Sequence, residues 1–333
     1  MIRIAVDAMG GDRGPETIVE GALDAAREHG LSLTLVGRED RLRELMVGRP
    51  GVAALDVIIV PADDVIGMGE PPTSALRRRP GASIKVAAAE VAAGRAAALY
   101  SAGNTGATVM AAHAAFGMLA GADRPALAAT VPTRRSAAVV LDVGANVDCR
   151  PQHLVQFAAM GTVYARLVLG VERPRVGLLS IGEEETKGND LTREAHRLLK
   201  ASGLSFIGNI EARDVYAGGA DVIVCDGFTG NIALKVSEGL VEMIGDVLRD
   251  AMGKLGAGLA AQVSSELFDL FRRRVAEYGG VPLLGVAGLA VIGHGRSSAT
   301  AVRHGIEAAH RFASAGFIAR LQQEIAASGE SHR

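Results

Sequence analysis

Tryptophan is absent from the 333 residues, tyrosine and phenylalanine number only four and eight, and there are two cysteines. Cysteines as far apart as Cys149 and Cys225 form neither a metal-binding CxxC clip nor a disulfide framework. They read as small buried apolar residues, with a reactive thiol as the alternative. A surplus of charge is lacking too: 35 Lys and Arg against 37 Asp and Glu leave a formal net charge of -2. Neutralising nucleic-acid phosphates requires a basic surplus, so no nucleic-acid partner is expected. Long hydrophobic runs are also missing, the longest nearly uncharged one, 283–293, falling well short of the roughly 20 residues that cross a bilayer. Residues 2–6 read directly as a strand, with no basic stretch before them and no cleavage pattern after them, so a cytoplasmic location is expected.

What the chain has in excess is glycine, 42 residues, a share nearly twice the usual level of about 7%. Many of these glycines follow short Val/Ile/Leu runs, where a chain leaving a buried strand must turn sharply. Apolar runs of strand length recur at 2–6, 31–36, 57–60, 97–100, 138–141, 176–181 and 222–225, each followed by a turn and a helical pattern. Pro15-Glu16 suits the first turn of one such helix, and the one near Ser83 runs through alanine-rich sequence to Gly94. The alternation predicts an α/β fold, a mostly parallel sheet with helices on both faces, whose ligands gather beyond the carboxyl ends of the strands. No linker or repeat divides residues 1–333, which read as one catalytic unit. Near 253–258 the alternation breaks. Helical patterns over 231–252, where Ile232, Val236, Leu240, Ile244 and Leu248 recur every four residues, and over about 259–278 predict a helical projection spanning 231–280.

No P-loop, dinucleotide fingerprint, HExxH or GxSxG motif occurs, which weakens ATPase, Rossmann dehydrogenase, zinc hydrolase and serine esterase readings. Polar turns follow the strands instead. Ser101, Gly103, Asn104, Thr105 and Gly106 stand between a strand and a helix, where glycine-flanked amides converge on an anion and the helix dipole adds positive potential. Asp226, Thr229, Gly230 and Asn231 repeat the pattern after 222–225. Two such turns predict one anion site built from both sides; for either alone, an ordinary capped turn is the alternative. Asp142 and Asn146 end another strand and Asp7 the first, placed to orient cations, hold a metal or simply form turns. Lys187 is the one cation of an acidic glycine-bearing loop, and His294 lies between two glycines. His29, His196 and His310 fall in helical patterns and read as surface residues.

Taken in order, segments 7–12, 101–107, 141–149, 154–161, 181–188, 226–235 and 278–298 resemble the bacterial phosphate acyltransferase family, the acyl-acyl carrier protein:phosphate transacylases, over nearly the whole chain. The resemblance implies a fold similar to phosphotransacetylase and the isocitrate/isopropylmalate dehydrogenase group. It implies transfer of a fatty acyl group from acyl carrier protein to inorganic phosphate for phospholipid synthesis, with no metal or organic cofactor. A homodimer, transient contact with the inner membrane surface and a downstream membrane glycerol-phosphate acyltransferase are implied as further partners. On this reading Gly103 to Gly106, Thr229 to Asn231 and Lys187 hold phosphate, and His294 or Asn104 touches the reacting carbonyl or the sulfur. One departure is Gly81-Ala82-Ser83, where the family tends to have two adjacent serines. Such chemistry needs no protein nucleophile, because phosphate oxygen attacks directly and a thiolate leaves readily. An acidic carrier protein requires a basic surface, for which Arg77 to Arg79, Arg134-Arg135 and Arg272 to Arg274 are candidates. The apolar stripe Leu259, Val263, Leu267, Leu270, Phe271, Val275 and Tyr278 suits a dimer or a membrane interface. The rival readings are a nicotinamide-dependent decarboxylating dehydrogenase of similar fold and a noncatalytic acyl or phosphate sensor.

Overall fold

A computed structural model describes residues 2–253 and 280–330. The chain runs through β1 (Arg3–Asp7), α1 (Gly14–His29), β2 (Ser32–Gly37), α2 (Glu39–Met46), β3 (Val57–Pro61), α3 (Pro72–Arg78), α4 (Ser83–Ala92), β4 (Ala98–Ser101) and α5 (Thr105–Phe116). It continues through β5 (Ala126–Pro132), β6 (Ala137–Leu141), α6 (Pro151–Leu169), β7 (Val176–Leu179), α7 (Asp190–Lys200), β8 (Phe206–Ile210), β9 (Val222–Val224) and α8 (Gly227–Gly253). After the undescribed stretch come β10 (Val281–Leu284), β11 (Ala290–Ile292), α9 (Ala299–Ser314) and α10 (Phe317–Glu330).

The described strands form one sheet in the order β3-β2-β1-β4-β11-β10-β5-β6-β9-β7-β8. β1, β2 and β4 are apolar on both faces because both faces are covered: Ile4 and Val6 join the core under α1, α6, α9 and α10, while Ala5 and Leu99 join the one under α4 and α5. Each large aliphatic side chain so buried contributes about 1.5–3 kcal/mol.

Strand direction decides where the site can be. β3, β2, β1, β4 and β11 are parallel. β10 runs antiparallel to both β11 and β5, and β5 runs antiparallel to β6. β6, β9, β7 and β8 are parallel to one another. The two parallel halves therefore point in opposite directions, and their carboxyl ends open on opposite edges of the sheet. The apolar run 283–293 is not one element: it carries the ends of β10 and β11, which pair antiparallel.

α8 carries Ile232, Val236, Leu240 and Val247 exposed to solvent. The second helical pattern of the expected projection, the stripe from Leu259 to Tyr278, and Arg272 to Arg274 lie outside the described residues. Among the described residues no helix is long and apolar enough to cross a membrane. His196 departs from its expected place at the surface. It is buried, its Nδ1 2.9 Å from Asn209 Oδ1 and its ring edge-on to Phe206, because α7 turns that side toward β8.

Candidate active site

At the carboxyl edge of the first half, the turns after β1, β4 and β11 are bonded into one unit. Gly293 N–H donates to Ser101 O (2.9 Å) and Asp12 N–H to Gly295 O (2.8 Å). Beneath them lies a buried polar network. Ser101 Oγ donates to Asp7 Oδ2 at 2.8 Å and accepts the Gly103 N–H at 3.1 Å. Burial pushes the Asp7 carboxyl above the ordinary carboxylate range, opposed by hydrogen bonds from Ser83, Ser101 and the Met9 N–H. Gly10 and Gly103 cross directly over this carboxylate: a Cβ on Gly10 would stand 2.8 Å from Gly103 Cα and 3.0 Å from Asp7 Oδ2. Asp7, Gly10, Ser83, Gly103, Asn104 and Thr108 line a small cavity in which the space open to a water centre is about 10 Å³, room for roughly one water.

Asn104 has another task than the one expected of it. Its Oδ1 caps α5 by accepting the Ala107 N–H at 3.0 Å, and its Nδ2 donates to the carbonyls of Met68 and Glu70, both at 3.0 Å. Both polar atoms of the side chain are engaged, Oδ1 in the cap and Nδ2 in holding the 67–70 loop against the 101–106 turn. Thr105 and Gly106 occupy the first turn of α5, where amides have no partner within the helix and the dipole is positive.

His294 stands at the mouth, half-exposed. Its Nδ1 accepts the Arg296 N–H at 3.2 Å, which leaves the proton of the neutral ring on Nε2, and Nε2 lies 3.9 Å from Glu238 Oε2 on α8. Tyr100, wholly buried, lies beneath Gly293 and supports this turn from below.

The remaining residues gather at the opposite edge. Asp142 is buried and accepts five N–H bonds: from Leu127 (2.9 Å), Gly144 (3.1 Å) and Ala145 (3.0 Å) at Oδ1, and from Asn146 N (2.7 Å) and Nδ2 (2.9 Å) at Oδ2. Burial raises its pKa and these donors oppose the rise. Asp226 caps α8, its carboxylate accepting the Thr229 N–H at 2.8 Å and the Thr229 hydroxyl at 2.9 Å. The Gly227 and Gly230 N–H groups are likewise engaged, with Asn146 O and Asp226 O. Most amides of the second glycine turn are thus consumed by the turn itself. Asn231 rests against Gly144, and Lys187 is exposed on the loop after β7.

The expectation that both turns grip one anion meets a sheet in which the two turns follow strands of opposite direction. β4 and β9 are five inter-strand steps apart, ~24 Å at ~4.8 Å per step, and their carboxyl ends face opposite edges. α8 spans the gap instead. Asn231, Lys235 and Glu238 follow at i, i+4 and i+7 on one face, from Gly144 at one end to His294 at the other.

Neither cysteine is poised as a nucleophile: burial, with the nearby Asp142 charge adding to it, pushes Cys149 up to about 12, and Cys225 is raised well above its ordinary value by burial. Among the described residues one group, Glu28, His29 and Glu307, brings possible metal ligands within 4.8 Å of one another, but Arg303 already pairs with both carboxylates. It belongs to the α1–α9 contact, away from the turns. Sequence reading missed Ser83, Thr108 and Glu238. Ser83 begins α4 and was visible only as half of the Ala82-Ser83 departure; Ala82 is wholly buried beside it, whereas the Ser83 hydroxyl reaches Asp7.

Residues 2–320 match the family model described as "Fatty acid synthesis protein". The phosphate acyltransferase of Geobacter sulfurreducens is 48% identical over 327 residues, covering 97% of this chain and 94% of that protein. That of Acidobacterium capsulatum is 47% identical over 332 residues, covering 99% and 98%. Among solved structures, a phosphotransacetylase from Streptococcus pyogenes aligns with a TM-score of 0.62 at 17% identity over 93% of each chain, a likeness of fold.

Proposed function

The chain belongs to the phosphate acyltransferase family, and on that premise we propose that it transfers a fatty acyl group from the thioester of acyl carrier protein to inorganic phosphate. In balanced form, a phosphate oxygen attacks the thioester carbon, a C–O bond forms, the C–S bond breaks, and the phosphate proton ends on sulfur. Acyl phosphate and free carrier protein result, the former for phospholipid synthesis. The observation that carries this reading is the 101–106 turn at the start of α5, with unpartnered first-turn amides above a buried Asp7–Ser101 floor and His294 alongside. Phosphate sits at the Thr105 and Gly106 amides. Holding it against the thioester removes the entropy of a bimolecular encounter. His294 Nε2–H faces the leaving sulfur.

The carrier protein's flexible arm lies along α8, on Asn231, Lys235 and Glu238, and Lys187 contacts the carrier from the loop after β7. This separates residues that the sequence had joined: Asn231 and Lys187 serve the thioester side rather than phosphate. Arg77 to Arg79, at the end of α3, and Arg134-Arg135 on the β5–β6 turn remain the described candidates for meeting the acidic carrier, Arg79 being already paired with Glu70. The cytoplasmic location, homodimer, contact with the inner membrane surface and handover to a membrane glycerol-phosphate acyltransferase belong to the same reading.

Thr105→Pro tests it cleanly. Proline suits the first helical position and Asn104, with ψ 113°, already lies outside the helical region, so the change removes one amide donor while keeping the helix. Thiol release from acyl carrier protein thioester, with acyl phosphate trapped by hydroxylamine, should show the phosphate KM raised ~10-fold in this variant. Asn231→Ala should raise the KM for the carrier thioester and leave that for phosphate unchanged. An unaltered phosphate KM in Thr105→Pro overturns the placement. Ligand binding without thiol release would favour a sensor, and NAD-dependent turnover a dehydrogenase.

A further inference from the structure

The loop after β7 is tied to the rest of the chain through a buried polar pair, His196 on α7 and Asn209 on β8. Asn209 Nδ2 donates to Glu184 O at 2.9 Å, and His196 Nδ1 lies 2.9 Å from Asn209 Oδ1. The carbonyl decides both orientations. Only the amide nitrogen can face it, so Oδ1 is left to accept and His196 Nδ1 carries the hydrogen. The same Glu184 carbonyl accepts the Lys187 N–H at 3.0 Å, so Asn209 grips the turn that presents Lys187. That turn is tight: a Cβ on Gly182 would stand 2.9 Å from Lys187 Cγ. β8 is shaped for the contact. Its register against β7 shifts between Val176 and Gly177, which pair with Phe206 and Gly208, and Gly208 has a φ of 101°. Such a bulge re-aims a neighbouring side chain, here that of Asn209. A second tether runs through Glu185 Oε1, which Lys200 Nζ approaches at 2.5 Å and His196 Nε2 at 3.5 Å. Glu185 and Lys200 are both more than half exposed, and such pairs are worth little. Apolar side chains of like shape in place of His196 and Asn209 would cost the core little; what they could not do is hold the Glu184 carbonyl.

We propose that Asn209, oriented by His196, is a positioning residue for acyl transfer: it fixes the 182–188 turn so that Lys187 is presented to the carrier protein in one place. This rests on the reading that Lys187 contacts the carrier, and adds to it the residues that put Lys187 there. Neither Asn209 nor His196 touches a substrate. With the turn released, Lys187 would have to be ordered at each encounter, and the cost would fall on carrier binding alone.

The test is thiol-release kinetics of the full chain with acyl carrier protein thioester and phosphate, with folding checked by circular dichroism. Asn209→Asp keeps the shape and the acceptor for His196 but turns an oxygen toward the Glu184 carbonyl. It should raise the KM for the carrier thioester ~5-fold, with kcat and the phosphate KM within ~2-fold of the parent. His196→Leu, which removes the hydrogen that Asn209 accepts, should do the same. His196→Asn, whose Nδ2 stands where the ring Nδ1 stood, should return the KM to within ~2-fold of the parent. Lys187→Ala should also raise the carrier KM, and adding Asn209→Asp to it should change nothing further. A folded Asn209→Asp variant with an unaltered carrier KM, beside an affected Lys187→Ala, overturns the proposal. So do additive effects in the double variant, a rise shared equally by the phosphate KM, or a His196→Asn variant no better than His196→Leu. Should His196→Leu not fold, Asn209→Asp and the double variant decide; should Asn209→Asp not fold, the two His196 variants do. A silent Lys187→Ala removes the loop from carrier binding and takes this proposal with it. Absence of thiol release in the unaltered protein would sink the acyltransfer reading itself.

Discussion

A thiol works as a nucleophile only as its thiolate. With Cys149 pushed up to about 12 by burial, its thiol stays protonated at neutral pH. Cys225 is wholly enclosed and hydrogen-bonded through Sγ to Asp142 O at 3.5 Å. Both sit on the turns that organise the start of α8, where they fill space between two carboxylates that would repel a negative sulfur. The proposed direct attack by phosphate therefore meets no competing route through either cysteine. Replacing both cysteines by alanine should leave kcat within ~2-fold of the parent and cost about 1–2 kcal/mol of stability through the lost buried volume. Loss of turnover in a variant with a normal melting transition would restore an acyl-cysteine intermediate.

Among the elements, the contact between α1 and α9 is set by the small size of one residue. A Cβ on Gly21 would lie 2.3 Å from Ala299 O and 2.7 Å from Val302 Cβ, and the first of these is backbone that has no rotamer to yield. Gly21→Ala should destabilise the fold by about 1–3 kcal/mol despite alanine's better helix propensity, lowering Tm by several degrees. A stabilised variant would show that the two helices separate easily. Local pattern revealed α1 and the strands β1 to β4, β6, β7 and β9, because continuous apolar runs ending in glycine turns are readable residue by residue. It did not reveal β5, whose Ala126–Pro132 is alanine-rich, or β8, interrupted by Gly208 and Asn209. Nor did it reveal the reversal between the halves. That reversal is the sum of three antiparallel pairings, β11–β10, β10–β5 and β5–β6, of which β10 with β5, Leu283 opposite Leu127, joins segments so far apart that the pairing leaves no mark on either alone. Each polar turn was thus legible at its strand end, while the edge on which it opens was not. Glu238, whose only distinction is its helical spacing from Asn231, was overlooked for the same reason.

At the scale of the whole molecule, α8 has three distinct sides. Leu234 packs on the core, the Asn231–Lys235–Glu238 row faces the turns, and Phe228, Ile232, Val236, Leu240, Met243 and Val247 form an apolar row in solvent. At 100° per residue the polar and apolar rows lie about 120° apart around the axis. Val236 is 66% exposed and Val247 59%, uncovered by the other described residues, and homodimerisation is the use that fits the proposed function. Because the apolar row points away from the polar one, covering it with a second copy leaves the arm's path open. Val236→Glu with Leu240→Glu should therefore convert a dimer to a monomer in light scattering while the phosphate KM stays within ~2-fold, since the apolar row lies about 120° around the helix from the polar one. If the pair of glutamates leaves the dimer intact but abolishes sedimentation with anionic vesicles, the row contacts a membrane surface instead. If it leaves both unchanged, the row has neither use. Loss of the dimer together with a large rise in the phosphate KM would mean that the partner subunit completes the anion site, and the opposite edges of one chain would then meet across the two-fold axis.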